Sequence, residues 1–394
     1  MSRANSGFKQ TEKHKPGNLG HFPAGLVRGQ FGAIPIADWL KEIAAMGYDG
    51  YEEASWELDL RCCDNDEGAE EFARELIEQA GSLTIFSVAA HLQGQALGDE
   101  PSAKTLQFVG GEALEAYKVW RAAGNIPPRT NPFFVPENVG VLIHSQAEAD
   151  LLAVVRLAHF LGKLQDRRVP VTGFVGSPAE RWKHWFGFPP LPKEIGGYEI
   201  PNVNEVSAEL LIERFTPVFQ ALDAYDVYFG LECHPSEFAI GDISSATEFL
   251  DVVRTAGFET HVGFNLDASH MVWQGVNPIA FIRKFTKKIF SVHIKGVQVS
   301  KYPTENGLLG GHRPMGDPDN GWNFVTACSG RDSINEDEVL TALRRIGYSG
   351  AINVEWEDND ADPIQGAELV LDELECINLA PSTQAHDETL KAKE

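Results

Sequence analysis

Basic residues are in short supply in this chain: 33 Lys and Arg stand against 57 Asp and Glu over 394 residues, a formal net charge of −24. Nucleic acid is bound by basic surfaces that release counterions, so this balance argues against DNA or RNA as a partner. Cysteine is sparse as well. Cys62, Cys63, Cys233, Cys328 and Cys376 are odd in number and show no CxxC spacing, which argues against a disulfide framework or zinc ribbon and for reduced thiols. No apolar run is long enough to cross a bilayer, and residues 1–10 lack the apolar core of a secretory signal. The expectation is a cytoplasmic protein with no membrane attachment. Also missing is a GxGxxG or Walker A pattern at a strand-to-helix turn, by which a doubly wound nucleotide-binding sheet more often advertises itself.

What the chain does have is alternation. Strand-like runs are expected at 25–31, 83–90, 168–175, 227–232, 262–267, 289–295 and 351–355, with another entered through the turn at 47–53. Helical patterns fall between them at 38–46, 70–80, 111–122, 146–164, 207–224, 247–256, 278–285 and 337–346, the first with Asp38 as N-cap and Gly47 as stop. Eight strands with interleaved helices predict an α/β fold, a (β/α)8 TIM barrel, over residues 21–380. Length alone would allow one large barrel or two ordinary domains, but no compositional break marks a linker. The polar segment 1–20 and the tail 381–394 are expected to be flexible.

Two βα loops, after strands 4 and 7, are unusually long. Residues 177–206 carry Trp182, Trp185, Phe186, Phe188, Pro189, Pro190 and Pro192, and residues 296–335 carry Gly310, Gly311, His312, Arg313 and Asp317. Long loops in compact domains are usually functional or disordered. In a barrel these two rise on the catalytic side, where the aromatic one suits stacking on a sugar ring or a subunit contact equally well.

Four strand-sized runs each end in a potential metal ligand: Leu231-Glu232, Phe264-Asn265-Leu266-Asp267, Ser291-Val292-His293 and Ile352-Asn353-Val354-Glu355. In a barrel the C-terminal ends of all strands face one mouth, so Glu232, Asp267, His293 and Glu355 would meet. Three carboxylates and an imidazole suit one divalent ion, Mn²⁺ first, with Mg²⁺, Co²⁺ or Zn²⁺ acceptable. A lone strand-end carboxylate is more often a cap or salt-bridge partner. Four in register reverse that odds estimate.

With the strands placed, the second half resembles the xylose isomerase-like barrel superfamily of sugar isomerases, ketose epimerases, dehydratases and endonuclease IV. The resemblance rests on Leu231-Glu232-Cys233-His234, on Asn265-Leu266-Asp267-Ala268-Ser269-His270, on His293-Ile294-Lys295, and on the stretch from Gly347-Tyr348-Ser349-Gly350 to Glu355. It implies that Glu232, Asp267, His293 and Glu355 are metal ligands, that Glu232 and Glu355 also exchange the substrate proton, and that His270 contacts substrate. It also implies a homo-oligomer, whose symmetry nothing in the sequence sets. Gly296 departs from the pattern, because many relatives have an acidic residue after His-x-Lys.

The expected chemistry is proton abstraction next to a carbonyl through a metal-stabilised enediolate, with Glu232 and Glu355 on opposite faces and His270 beside them. His91, Trp56, Lys295, Arg331 and His234 are candidates to line the sugar pocket. Each has a plainer reading: a hydrogen-bonded core histidine for His91, core packing for Trp56, a structural ion pair for Lys295, and a loop salt bridge for Arg331. Glu53 is a further pocket-lining candidate with a core or surface reading equal to it, and Glu237 lies near the mouth without an assigned role. The leading function is a sugar isomerase or epimerase. The alternatives are a metal-dependent lyase that expels water or an aglycone from a keto sugar or keto glycoside, and a non-catalytic sugar-binding barrel. An endonuclease IV-like enzyme would need further histidine ligands and a basic surface.

Overall fold

A computed structural model describes residues 21–185, 192–301, 307–308 and 313–382. The flexible ends expected at 1–20 and 381–394 lie outside these residues apart from 381–382, as do Phe186, Phe188, Pro189, Pro190, Gly310, Gly311 and His312. Eight parallel strands close into a barrel: β1 (Ala24–Val27), β2 (Gly50–Ala54), β3 (Thr84–Ala89), β4 (Val171–Gly173), β5 (Phe229–Glu232), β6 (Val262–Asp267), β7 (Ile289–Ile294) and β8 (Ile352–Val354). Each strand pairs with its sequence neighbours, and β8 returns to β1 through Ala24–Ile352, Gly25–Asn353 and Leu26–Val354. A doubly wound sheet is thereby excluded. Nearly every strand residue is buried, as expected of a parallel sheet covered by helices.

The helices are α1 (Ile36–Met46), α2 (Asp66–Ala80), α3 (His91–Gly98), α4 (Ala103–Val109), α5 (Gly111–Ala122), α6 (Glu137–Gln165), α7 (Arg181–Trp185), α8 (Val203–Tyr225), α9 (Ile243–Thr255), α10 (Ala268–Val272), α11 (Pro278–Lys284), α12 (Glu336–Ile346) and α13 (Pro363–Ile377). Several elements differ from expectation for identifiable reasons. The first strand stops at Val27, because Arg28 turns inward and its guanidinium donates to the carbonyls of Phe31 and Ile34 and to Glu57. The first helix starts at Ile36 after Pro35 rather than at Asp38, which sits in its first turn. Helix α3 was not anticipated, since it contains Gly94 and Gly98, residues that weaken helices. A Cβ at those positions would lie 1.9 Å from the Phe174 carbonyl oxygen and 1.6 Å from that of Val175, so both glycines are needed for the helix to seat against the end of β4.

The long segment after β4 holds α7 and a small hairpin, Glu194–Ile195 with Tyr198–Glu199. After β7 the chain runs directly into a second hairpin, Gly296–Val299 paired antiparallel with Trp322–Val325. No helix of the described residues is long and apolar enough to cross a membrane.

The start of α12 carries a buried acid pair. Asp332 accepts from the N–H groups of Val297, Cys328 and Ile334 at 3.0–3.1 Å. Burial first, and the charge of Asp332 second, push Glu336 well above the usual carboxylate range. A raised folded-state pKa means that the folded chain retains a proton that the unfolded chain releases, so this site costs stability as pH climbs from the unfolded value toward the folded one. Glu336→Gln should flatten the loss of Tm between about pH 5 and 7 and raise Tm at neutral pH by about 2 °C. Thermal melts across that range giving an unchanged or steeper slope would contradict this assignment.

Candidate metal centre

Strand register puts the predicted ligands side by side. Glu232 and Asp267 are the last residues of β5 and β6, His293 is the Cα partner of both Asp267 and Asn353, and Glu355 follows β8 with its N–H donating to Ile294 O at 3.0 Å. One potential ligand atom from each of Glu232, Asp267, His293 and Glu355 lies within 4.8 Å of all the others, and all four residues are buried. With metal–oxygen bonds of about 2.1–2.2 Å, donors on opposite sides of an ion stand roughly 4.3 Å apart, so this spacing fits one coordination sphere.

The surrounding atoms also fit a cation. Asp267 Oδ1 caps α10 by accepting from Ser269 N at 2.7 Å, while its Oδ2 has no hydrogen bond. That free oxygen is 3.0 Å from Lys295 Nζ, which is equally 3.0 Å from Glu355 Oε2. His293 Nδ1 stands 3.0 Å from both Glu232 Oε2 and Glu355 Oε2. Burial alone would lower the pKa values of His293 and Lys295, yet the facing carboxylates outweigh it and hold both well above their ordinary values. Burial would likewise raise Glu232 and Glu355. The cations His293 and Lys295 dominate instead and hold both acids below the usual range. Beyond what His293 and Lys295 supply, such a concentration of buried negative charge is one that a divalent ion could compensate.

The other ring nitrogen of His293 is held from behind. His293 Nε2 lies 3.0 Å from Glu52 Oε1, Ser87 Oγ donates to Glu52 Oε2 at 2.6 Å, and Asn353 Nδ2 donates to Ser87 Oγ at 3.1 Å. A carboxylate behind a ligating histidine fixes its tautomer and increases its basicity. Sequence reading passed over Glu52. Its signal was present: an acid inside a fully buried strand must face a partner within the barrel. Gln30 and Asn265 were missed too. They donate to Glu355 Oε1 at 2.7 Å and to Glu232 Oε2 at 2.8 Å.

The other candidates divide clearly. His270 Nε2 lies 3.4 Å from Glu232 Oε1 and 3.4 Å from Asp267 Oδ2, inside the cluster. His91, at the start of α3, reaches Glu232 Oε2 at 3.2 Å, and Trp56 stands edge-on to it with ring centroids 6.3 Å apart. His234 sits one layer out, its ring 4.6 Å from that of His270 and its Nδ1 2.8 Å from Ser236 Oγ. Arg331 is not brought to the cluster: its guanidinium pairs with Asp358 and Asp360, the loop salt bridge weighed for it from sequence. Glu237 braces the β4 end by accepting from Val175 N and Gly176 N. Glu53 is buried and pushed up to about 7 chiefly by that burial, with Ala54 N donating to it.

Gly296 now has a physical reason. A Cβ there would fall 2.5 Å from Val325 O across the hairpin, so no acidic side chain fits. The hairpin instead returns Phe324 over the site, its ring 4.6 Å from Lys295 Nζ and 5.4 Å from the His270 ring.

A family model described as xylose isomerase-like TIM barrel matches residues 156–378, more than half of the chain. The chain belongs to that family. Within this xylose isomerase-like family, three comparisons are informative. The uncharacterized protein YfiH of Bacillus subtilis (strain 168) is 32% identical over 201 residues, a match covering 48% of this chain and 59% of that protein. The match thus spans little more than half the length of this curated relative. A xylose isomerase-like TIM barrel protein from Mycobacterium smegmatis, solved in complex with magnesium, superposes with a TM-score of 0.52 at 15% identity, covering 91% of this chain and 96% of that one. D-psicose 3-epimerase from Clostridium cellulolyticum H10, solved with D-tagatose, gives 0.51 at 15% identity, covering 91% and 100%. At such identities the structural likeness is one of fold.

Elemental analysis should find about one divalent ion per chain in protein incubated with Mn²⁺ and dialysed, and none in Asp267→Ala. Glu52→Gln should keep that stoichiometry but weaken affinity about 10- to 100-fold in a chelator competition. An unchanged affinity would remove Glu52 from any role in holding His293.

Proposed function

We propose that this protein is a Mn²⁺-dependent sugar isomerase or epimerase that moves a proton on the carbon next to a substrate carbonyl. The observation that carries this reading is the placement of Glu232 and Glu355. They come from β5 and β8, on either side of the two strands bearing Asp267 and His293, and both have a carboxylate oxygen 3.0 Å from the same His293 nitrogen. A sugar lying over the cluster would have one carboxylate toward each face, so one takes the proton and the other returns it. A bound divalent ion would supply Lewis-acid stabilisation of the negative charge that develops on the substrate oxygens.

The chain's own groups support the rest. His270, between Glu232 and Lys295, can donate to a substrate oxygen. Lys295 holds positive charge against the carboxylates, keeping them ionised and competent as bases. Phe324, Trp56 and Phe174 give the mouth apolar walls, and Phe174 lies 4.7 Å edge-on to His91. Walls of this kind exclude water and suit the C–H faces of a sugar ring.

Elimination from a keto sugar or keto glycoside uses the same deprotonation and remains the second reading, favoured by the histidine behind His270. His234 is half-buried and is held below its usual pKa first by desolvation and then by the neighbouring His270. As a neutral imidazole it can hydrogen-bond a departing oxygen without adding a second cation beside His270.

The test is incubation of Mn²⁺-loaded protein in D₂O with a panel of ketoses and 3-keto glycosides. Deuterium at the carbon next to the carbonyl, in recovered or inverted sugar, is the expected outcome, with Glu355→Gln and Glu232→Gln each lowering the rate about 10²–10⁴-fold. Release of water or an aglycone would move the assignment to a lyase. If neither exchange nor release occurs with any substrate, the barrel binds sugars without acting on them.

A further inference from the structure

At the opposite end of the barrel from the metal centre lies a cavity of about 490 Å³ among the αβ loops. Its lining includes Arg167 and Arg168 before β4, Lys287 before β7, and Ser349 before β8, and no Asp or Glu. In a chain carrying 57 acids against 33 basic residues, an acid-free cavity with three cations is a marked local reversal of charge. The adjoining groove, which shares both arginines, does include Asp166 and Asp226.

The two guanidiniums are held by rings rather than by carboxylates. Arg167 Cζ stands 4.5 Å from the Phe86 ring centroid and Arg168 Cζ 4.4 Å from that of Tyr228. Tyr228 is in turn packed edge-on to Phe290 at 4.6 Å. Cation–π stacking occupies a face of the guanidinium and leaves its N–H edge available. Arg167 Nε is buried and has no hydrogen-bond partner, and among the described residues neither arginine has a carboxylate within ion-pair distance. Two guanidiniums unpaired with any acid and lining one acid-free cavity leave positive charge there for an anion to answer.

We propose that this cavity is a binding site for a phosphate monoester, with Arg167 and Arg168 gripping the phosphate, Lys287 adding charge at the rim, and Tyr228 and Phe290 walling the organic group. Guanidinium forks match phosphate oxygens in pairs. The volume falls in the range of small-molecule sites. The site is separate from the metal centre and does not depend on the sugar chemistry proposed there.

Calorimetric titration of the metal-free full-length protein with phenyl phosphate at low ionic strength tests the proposal, with phenol as the uncharged control. Saturable binding of phenyl phosphate but not phenol is expected, weakened about tenfold or more in Arg167→Gln/Arg168→Gln. Lys287→Gln, on an exposed loop, should weaken it severalfold and covers the case in which the double variant fails to fold. The proposal is overturned by absence of saturable binding, by equal binding of phenol, or by full affinity in both cavity variants.

Discussion

Compensation of buried negative charge is the constraint around which this molecule is arranged. Glu52, Glu232, Asp267 and Glu355 are all removed from water at one end of the barrel, where an unpaired carboxylate would cost several kcal/mol. Lys295 and His293 answer that charge from β7 and its continuation, and Gln30, Asn265 and Ser87 satisfy the remaining oxygens. A site like this lacks the best-packed apolar alternative and is kept for what it can bind. The same concentration of charge makes the cluster a candidate holder of a compact divalent cation.

The barrel meets the constraint by geometry rather than by local sequence. Parallel strands deliver every C-terminal residue to one rim, and the polar line Asn353–Ser87–Glu52–His293 crosses the interior from β8 through β3 and β2 to β7. That line needs barrel closure, because β8 reaches β2 only across β1. The hairpin after β7 completes the mouth. Gly296 allows its two strands to approach, and Phe324 then covers the ammonium and imidazole it faces. The two ends of the barrel thus carry opposite charge: an acidic centre at the strand ends and a basic cavity under the strand starts.

Legibility in the sequence followed physical simplicity. Helices α9 and α12 have clean amphipathic patterns and were located to within a few residues, whereas α6 begins at Glu137, well before the expected 146, because Gly140 interrupts its first turns. Helices α3 and α4 were missed, the first because its glycines serve packing at the expense of propensity. The four candidate ligands could be read because each lies at or beside the end of a strand, a position that the alternation itself marks. Glu52 could not be distinguished from Glu53 beside it, although one faces His293 inside the barrel and the other accepts from Ala54 N. Arg331 carried chemistry that its loop spends on Asp358 and Asp360.

The sequence by itself determined the alternation of strands and helices, the kinds of donor at the strand ends, and the acidity of the whole. Those properties are local or compositional, set by periodicity and residue type. Only the tertiary structure decided which donors meet, which nitrogen of His293 faces Glu232 and Glu355, that Lys295 stands among the carboxylates, and that Arg167 and Arg168 share a cavity without an acid. Each of these depends on contacts between residues far apart in the chain, made when β8 closes against β1, and no periodicity along the chain encodes them.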